Sequence, residues 1–364
     1  WVMEMSSFTL TKIVGPAFGD NINVLSVVYL DGYFILDQPD SNRIYVSNLL
    51  DGTVIPPLAY ATADASPDLT QAIAALNGEL WVFGTSSTEV WSNVGTTPFP
   101  FAPIQGSFTE TGCAAARSVA TLDNSLFWLG QDNRGQGVVY RTNGYRPDRV
   151  STHAVEWQIQ RYSDISDAVA YTYQQDGHAF YVITFPTGNA TWVYDVSTQA
   201  WHERASWDGV DFNRHIANCQ AFYEGETLVG CTDGNVNILS TDVYKDVETT
   251  SRWLRSWRAL PTGQNNLKRT SQHSLQIDCN SYIDDDDSPD PPISLRWSDD
   301  GGHNWNDNAR EAIMSTIVSP SRRVIYRRLG MTTSLRDRVY EISGTAAVPV
   351  FIMGAELILS PTDA

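Results

Sequence analysis

Short runs of alternating apolar and polar residues, each interrupted by a turn dipeptide, recur along the first two thirds of the chain. The clearest example is residues 167–204, where Tyr171 and Tyr173 alternate with smaller residues, Asp176-Gly177 follows, and a β-branched and aromatic run comes next. Alternation with a period of two predicts a strand, and glycine accepts the positive φ that a two-residue hairpin turn requires. The segment therefore predicts strand, tight turn, strand, loop and strand.

The same unit recurs at a steady spacing. The predicted turns begin at Asp31, Asn77, Asp123, Asp176 and Glu224, so consecutive turns lie 46, 46, 53 and 48 residues apart. A repeat of this length with three or four strands per unit is typical of a β-propeller, in which each small sheet needs its neighbours to bury both faces. We therefore predict an all-β fold, a β-propeller of about six blades with five repeats visible. An ordinary β-sandwich with frequent hairpins is the alternative, but sandwich strands do not usually repeat one turn at a fixed period.

Two segments depart from the repeat. Residues 144–168 form a longer connection, and its part VEWQIQRY is the best helix candidate because Val155, Ile159 and Tyr162 lie at helical spacing. Residues 6–14, SSFTLTKIV, predict one strand ahead of the first repeat. Such a strand can complete a propeller blade begun at the other end of the chain.

Both rhythm and charge change near residue 250. Residues 1–250 contain 11 Lys and Arg against 28 Asp and Glu, whereas residues 251–364 contain 13 against 14. The later part predicts about five strands without the turn repeat, which fits a small β-sandwich or an irregular last blade equally well. We therefore predict propeller blades in residues 1–250 and a C-terminal β-rich module in residues 251–364.

Composition argues against several classes of function. The net charge of −18 is unfavourable for nonspecific binding of duplex DNA, which requires a basic surface. The four cysteines, Cys113, Cys219, Cys231 and Cys279, are too sparse for a disulfide scaffold, and we expect reduced, buried thiols. The longest apolar run, VPVFIMGAELIL, is too short to span a bilayer, so no membrane-spanning segment is predicted. The chain begins at Trp1 rather than at a methionine, which leaves a segment upstream open.

One motif has a known structural role. Ser298, Asp300, Gly302 and Trp305 match an Asp-box, S-x-D-x-G-x-x-W. In this motif aspartate caps its own backbone, glycine supplies the unusual φ, and tryptophan packs beneath the turn. Asp-boxes occur in sialidases and other propellers, so a glycan-binding or glycan-hydrolysing propeller is the alternative function. However, glycoside hydrolysis needs two placed carboxylates or a tyrosine nucleophile, which the motif does not provide.

A second stretch interleaves basic and aromatic residues: Arg252, Trp253, Arg255, Trp257 and Arg258. Such a stripe can stack on single-stranded nucleic acid or bind a protein partner. The alternative is a strand with its tryptophans turned inward and its arginines paired with acidic residues. We predict such a strand or a subunit contact, and the five residues are the candidate partner interface.

The sequence predicts no catalytic, cofactor-binding or metal-binding residue. The six histidines have no metal-ligand spacing, and a nucleophile elbow, a P-loop and a G-x-G-x-x-G motif are all missing. Asp284 to Asp287 with Asp290 lack the alternating ligands and the glycine of a calcium loop, so we interpret them as a solvated loop. We therefore expect a protein that is not an enzyme.

Several phrases of the chain resemble the podovirus tail hub or nozzle family, also called packaged-DNA stabilisation proteins or tail accessory factors. They are WVFGTSSTEVWSNVG (81–95), the stretch 99–141, GYRPDRVSTHAVE (144–156), SDAVAYTYQQDGHAFYVITFPT (166–187), TWVYDVSTQAWHER (191–204) and LRWSDDGGHNW (295–305) with the following RRVIYRRLG. Together they cover more than a third of the chain and follow the order of the family.

The resemblance implies a structural role in the virion. Such proteins assemble as a homo-oligomeric ring, usually a hexamer, below the portal and adaptor proteins. The ring extends the channel for double-stranded DNA without sequence-specific binding, retains the packaged genome and conducts it during ejection. The other expected neighbours are the tail needle and the tailspike or fibre proteins. The protein would be made in the bacterial cytoplasm and located in the virion tail. The family has no known chemistry, so no catalytic residue is carried over.

Overall fold

The structure, a computed structural model, describes residues 2–11, 13, 24–132, 135–247, 249–258, 269–280, 292–306, 310–313, 322–333, 338–345 and 347–362. The chain divides into two compact units. Unit 1 comprises Trp1–Ala205 and Asn213–Leu239, and unit 2 comprises Ser206–Phe212 and Ser240–Ala364. The domain boundary at residue 250 stays a prediction.

Unit 1 begins with a hairpin. Strands β1 (Val2–Glu4) and β2 (Thr9–Thr11) pair antiparallel with each other. The strand predicted over residues 6–14 is therefore shorter in the described residues, and its partner is the strand that directly precedes it.

In the part of unit 1 that the structure describes, five antiparallel sheets follow. The first contains β3 (Val27–Leu30), β4 (Tyr33–Asp37), β5 (Arg43–Val46) and β6 (Tyr60–Thr62). The second contains β7 (Thr70–Leu76), β8 (Glu79–Gly84), β9 (Thr88–Asn93) and β10 (Phe101–Pro103). In the third, β11 (Gly112–Cys113) and β12 (Ala120–Leu122) both pair with β13 (Ser125–Asp132), followed by β14 (Gly135–Asn143) and β15 (Arg146–Arg149).

Helix α1 (His153–Ile159) precedes the fourth sheet, which contains β16 (Val169–Gln175), β17 (His178–Phe185), β18 (Ala190–Asp195) and β19 (Ala200–Glu203). The hairpin of β20 (Ala205–Trp207) and β21 (Phe212–Arg214) leads to the fifth sheet, which contains β22 (Ala217–Tyr223), β23 (Glu226–Cys231) and β24 (Val236–Ile238). The predicted helix is confirmed with different bounds: it begins at His153 and ends at Ile159, so Tyr162 lies beyond it. Val155 and Ile159 are buried as the spacing indicated.

The five predicted turns are confirmed. Each is a two-residue connection between two consecutive antiparallel strands of its sheet: β3 and β4, β7 and β8, β12 and β13, β16 and β17, and β22 and β23. The first turn residues, Asp31, Asn77, Asp123, Asp176 and Glu224, have φ between 49° and 53°, and the second residues also have positive φ. Positive φ at both positions defines the type I′ turn, whose twist matches that of the flanking strands.

The sheets of unit 1 share their cores in consecutive pairs. On β8, Leu80 and Val82 belong to the cluster between the first and second sheets, whereas Trp81 and Phe83 belong to the cluster between the second and third. Two further clusters join the third sheet to the fourth and the fourth to the fifth. Both faces of an inner strand are therefore covered, as a β-propeller requires. The all-β propeller fold is confirmed, and a sixth blade stays a prediction.

Over its described ranges, unit 2 contains two sheets after a short hairpin. The hairpin comprises β25 (Lys245–Asp246) and β26 (Thr249–Thr250). The remaining strands are β27 (Trp253–Arg258), β28 (Thr270–Asn280), β29 (Pro292–Ser298), β30 (Arg310–Ile313), β31 (Arg322–Met331), β32 (Val339–Gly344) and β33 (Phe351–Pro361). One sheet has the order β27-β32-β29-β30 and the other β31-β28-β33. Residues of both sheets form one buried cluster, which includes Ile277, Leu295, Tyr326 and Tyr340. Two sheets around one core are the layers of a β-sandwich.

Candidate interaction surfaces

The Asp-box residues form a closed turn at the end of β29. Ser298 is fully buried, and its Oγ donates a hydrogen bond of 2.7 Å to Oδ1 of Asp300 and accepts one of 2.9 Å from the amide of Gly302. The amide of Asn304 donates to the same carboxylate oxygen at 2.8 Å. The hydrogen bonds from Asn304 and Ser298 hold the pKa of Asp300 well below its usual range. The carboxylate of Asp300 is therefore engaged within its own turn.

Two further members of the motif complete the turn. Gly302 has a φ of 99°, a conformation that side-chain-bearing residues rarely adopt. Trp305 is half-buried and forms an isolated bridge with Ser298. The guanidinium of Arg296 lies 4.7 Å from the centre of the Trp305 ring. These contacts give each of the predicted Asp-box residues a local partner.

An ion pair lies directly beside the Asp-box. Nε of Arg338 is 2.6 Å from Oδ1 of Asp299, and Nη2 is 2.9 Å from Oδ2. Arg338 is only 2% exposed, and it also donates to the carbonyl oxygens of Leu329 at 2.8 Å and Met331 at 3.2 Å. No sequence pattern predicted a role for either residue, because an arginine directly before the strand Val339–Gly344 does not by itself reveal burial.

The candidate partner interface on β27 divides into two kinds of residue. Trp253 and Trp257 are partly buried and pack against the core of unit 2. Arg255 and Arg258 are exposed on the same strand. The two arginines are therefore at the surface, whereas the tryptophans contribute to internal packing, as the inward-facing alternative predicted. A partner contact on this strand stays a prediction.

Arg252, which precedes β27, contacts two aromatic rings of unit 2. Its guanidinium lies 4.5 Å from the ring centre of Trp207 and 5.6 Å from that of Phe212. The two rings are themselves 4.8 Å apart. A guanidinium against aromatic faces is a favourable cation–π arrangement. Arg252 therefore has an internal role that the sequence did not predict.

A cleft of about 630 Å³ lies in unit 1 between the second and third sheets. Its lining includes Trp81 and Tyr145, whose ring centres are 6.2 Å apart. The hydroxyl of Tyr145 donates to Oε1 of Glu79 at 2.6 Å, and this bond raises the pKa of Tyr145. Nε1 of Trp81 is buried without a hydrogen-bond partner among the described residues. The cleft thus combines aromatic rings with polar groups.

The cysteines only partly match the expectation. In the described residues none of the four forms a disulfide, and Cys113 and Cys279 are buried. Burial raises the pKa of the Cys113 thiol to about 11. The expectation of buried thiols is wrong for Cys219, which is exposed, and for Cys231, which is half-buried, because the fifth sheet exposes parts of β22 and β23.

The described ranges contain neither a metal-binding cluster nor a membrane-spanning helix. Those ranges contain no group of three or more His, Cys, Asp or Glu side chains that could hold a metal ion. Asp284 to Asp287 and Asp290 lie outside the described residues. Within the same ranges, no helix has the length and apolar character to cross a bilayer.

Comparison with known proteins gives one extensive match. The family model Phage_stabilise, described as Bacteriophage P22 Gp10, beta-propeller, matches residues 3–244, about two thirds of the chain. No curated protein matches the chain.

Solved structures give weaker likenesses. An exo-β-1,3-galactanase from Phanerochaete chrysosporium is 10% identical, with 92% of this chain and 95% of that chain covered and a TM-score of 0.32. A glutaminyl cyclase from Myxococcus xanthus is 9% identical, with 60% of this chain and 93% of that chain covered and a TM-score of 0.31. At such TM-scores neither likeness bears on what this chain does.

Proposed function

The chain belongs to the Phage_stabilise family of bacteriophage β-propeller proteins, and from this premise we propose that it is a tail nozzle or hub subunit of a podovirus. The observation that supports the proposal is the match over residues 3–244, which includes all five propeller sheets of unit 1. In the proposed role, about six copies form a ring below the portal and adaptor proteins, in contact with needle, tailspike or fibre proteins. The protein is then a component of the virion tail.

The charge of the chain fits a conduit for DNA. The chain has a formal net charge of −18, and most of the excess acid lies in residues 1–250. Four of the five hairpin turns begin with a carboxylate, at Asp31, Asp123, Asp176 and Glu224. Such a surface repels the phosphate backbone, so double-stranded DNA can pass without adhering to it. Neutral substitutions of lumen-facing acids should then slow ejection, and unchanged ejection kinetics would count against the repulsion.

The proposed role is structural rather than enzymatic. The Asp-box carboxylate of Asp300 is engaged in its own turn, and that of Asp299 is paired with Arg338. Neither is a free acid of the kind that glycoside hydrolysis requires. In the proposed tail role, the Asp-box is a structural turn and needs no catalytic function.

The direct test is the mass of the purified protein in solution together with particle images of the same sample. We expect a ring of about six subunits with a central channel, formed by the protein alone or on a portal–adaptor complex. A protein that stays monomeric and also fails to bind that complex would contradict the proposal. The control is an unrelated propeller of similar charge, which should not bind the complex.

A glycan-binding propeller is the alternative, and the cleft with Trp81 and Tyr145 is the observation that favours it. Aromatic rings with nearby polar groups are common in binding sites for small ligands. Binding on a glycan array that is lost in Tyr145→Ala would support the alternative. Release of reducing sugar would support its hydrolytic form.

A further inference from the structure

A cleft on unit 2 has an unusual lining for such an acidic chain. It has a volume of about 500 Å³, and its lining includes Ser271, Gln272, His273, Ser274, Arg327 and Arg328. Among the described residues that line it, none is Asp or Glu, although the chain contains 42 of them. The local charge is therefore opposite to that of the whole protein.

A β-bulge places the two arginines side by side at this cleft. Gln272 pairs with Gly330 and Ser274 pairs with Arg327, so His273 of β28 lies opposite two residues of β31. Regular alternation would turn Arg328 inward after the exposed Arg327. Instead both arginines are exposed, and Leu329 after them is 1% exposed. The bulge thus redirects one side chain towards solvent, which is a common use of bulges.

The backbone of the bulge is held in an uncommon conformation. Arg328 has a φ of 60°, in the left-handed region that favours glycine and asparagine. Beneath it, the buried guanidinium of Arg338 donates to the carbonyls of Leu329 and Met331, and Asp299 fixes that guanidinium. These contacts support the backbone of β31 directly after Arg327 and Arg328, the two arginines of the bulge.

The two arginines are available for a ligand. In the described part of the chain, neither guanidinium donates a hydrogen bond or forms an ion pair with another residue. Arg323, on the same strand, differs from them because its Nε lies 3.4 Å from Oδ1 of Asp278. Among its side chains that the structure describes, strand β31 therefore carries one paired surface arginine, Arg323, and two unpaired ones, Arg327 and Arg328.

We infer that this cleft binds a phosphate group, either free phosphate or a phosphodiester of nucleic acid. Two guanidinium groups provide planar pairs of N–H donors that match phosphate oxygens, and the hydroxyl groups of Ser271 and Ser274 add neutral donors. The ring of His273 contacts Oγ of Ser360 at 2.9 Å through Nε2, which orients it at the rim. The inference does not depend on the proposed tail role, since it concerns binding by the isolated protein.

The test uses two probes and three forms of the full chain. Inorganic phosphate is titrated by calorimetry, and a labelled DNA duplex of about 20 base pairs is titrated by fluorescence anisotropy at several salt concentrations. The double variant Arg327→Gln/Arg328→Asn removes the charges and keeps a residue that tolerates positive φ at position 328. Arg323→Gln is the matched control on the same strand.

We expect the double variant to bind at least one probe about tenfold more weakly and the control to remain within about twofold of the parent. Loss of phosphate binding alone identifies free phosphate as the ligand. Loss of duplex binding with a shallower salt dependence identifies the phosphodiester. Failure of the parent to bind either probe, or equal binding by parent and double variant, would overturn the inference. Ring assembly is measured on the same samples. Assembly without phosphate binding contradicts this site alone, whereas missing assembly concerns the tail role.

Discussion

Both carboxylate oxygens of Asp299 meet the guanidinium of Arg338, at 2.6 Å and 2.9 Å, inside unit 2. Arg338 is 2% exposed, so its charge depends on this one carboxylate and on backbone carbonyls for compensation. The pair links the residue beside the Asp-box turn to the bulge in β31. The Asp-box region thereby helps to support the cleft lined by Arg327 and Arg328, the arginine cleft.

Asp299→Asn should destabilise the protein strongly. The substitution leaves the buried guanidinium of Arg338 without its counter-charge, which costs about 3 kcal/mol in the free energy of unfolding. Urea denaturation measures the loss, and hydrogen exchange of the peptide containing β31 locates it. Asp278→Asn is the control, because its partner Arg323 is largely exposed and such a pair contributes about 1 kcal/mol or less. Equal losses in the two variants would contradict the importance of burial.

Glu156→Gln should weaken the attachment of α1 in unit 1. Glu156 is 4% exposed and accepts hydrogen bonds from Arg149 and from Oγ of Ser151. Burial alone would raise its pKa, but the hydrogen bonds from Arg149 and Ser151 outweigh burial and lower it. We expect a loss of about 1.5–3 kcal/mol at neutral pH.

The pH dependence of that loss has a defined sign. Because the pKa of Glu156 is lower in the folded state, its contribution is complete above the unfolded pKa of about 4.3 and disappears as the pH falls through the folded pKa. Denaturation of parent and Glu156→Gln at several pH values should therefore converge in acid. Asp176→Asn, at an exposed turn, is the control. A difference that stays constant down to pH values of about 2 would refute the assignment.

His215 should make the stability of unit 1 sensitive to mild acid. Burial, and then the charge of Arg204, lower the pKa of His215 to about 4, and its Nδ1 accepts a hydrogen bond from the amide of Ala217. The unfolded chain binds a proton near pH 6.5, so stability should fall by about 3 kcal/mol between that pH and about 4. His215→Asn should flatten this part of the stability–pH curve, and His303→Asn, at an exposed histidine, should not. Parallel curves for parent and His215→Asn would be incompatible with a neutral buried imidazole.

Gly177→Ala tests the repeated turn. Gly177 has a φ of 80°, and no atom lies within 4 Å of an added Cβ, so the cost comes from backbone conformation alone. We expect a loss of about 1–2 kcal/mol in thermal or urea unfolding. Gly135→Ala is a matched control, because its Cβ also meets no atom within 4 Å and its φ is not positive. If both alanines had the same effect, the type I′ turn would not be the reason for glycine at position 177.

Arg255→Glu/Arg258→Glu tests the candidate partner interface. Both side chains are exposed on β27, so reversing their charge should leave the fold intact. If a partner binds there, its affinity should fall about tenfold or more, since like charges across an interface repel. Binding to a portal–adaptor complex and self-assembly are the measurements. The control Arg146→Glu/Arg161→Glu makes the same change in net charge at exposed positions of unit 1. Equal binding by the two double variants would show that β27 is not part of the interface.

The propeller was predictable because its signals are local. A type I′ turn needs positive φ at two adjacent positions. The Asp-Gly and Asn-Gly dipeptides that begin at Asp31, Asn77 and Asp176 are the residues that adopt this conformation most readily. The apolar runs that follow contain residues for both faces of a strand, since both faces are covered. Helix α1 was predictable for the same reason, from the spacing of Val155 and Ile159.

The arginine cleft and its support were not predictable. Asp299 and Arg338 are 39 residues apart, and no local pattern indicates that they meet. The bulge at Arg328 depends on the register between β28 and β31, which the sequence alone does not specify. Long-range register decides these features. The stripe on β27 differs, because its alternation predicted a strand with the tryptophans turned inward, and Trp253 and Trp257 do pack against the core.

The shared clusters of unit 1 limit how such a protein can change over evolutionary time. Every cluster between consecutive sheets takes residues from both of them, so deletion of one inner sheet would disrupt two clusters at once. Gain or loss of a blade therefore requires duplication or excision of a whole repeat, cut at equivalent points. Shorter insertions are tolerated only between strands. Lineages of this fold should consequently differ in loop length far more often than in blade number.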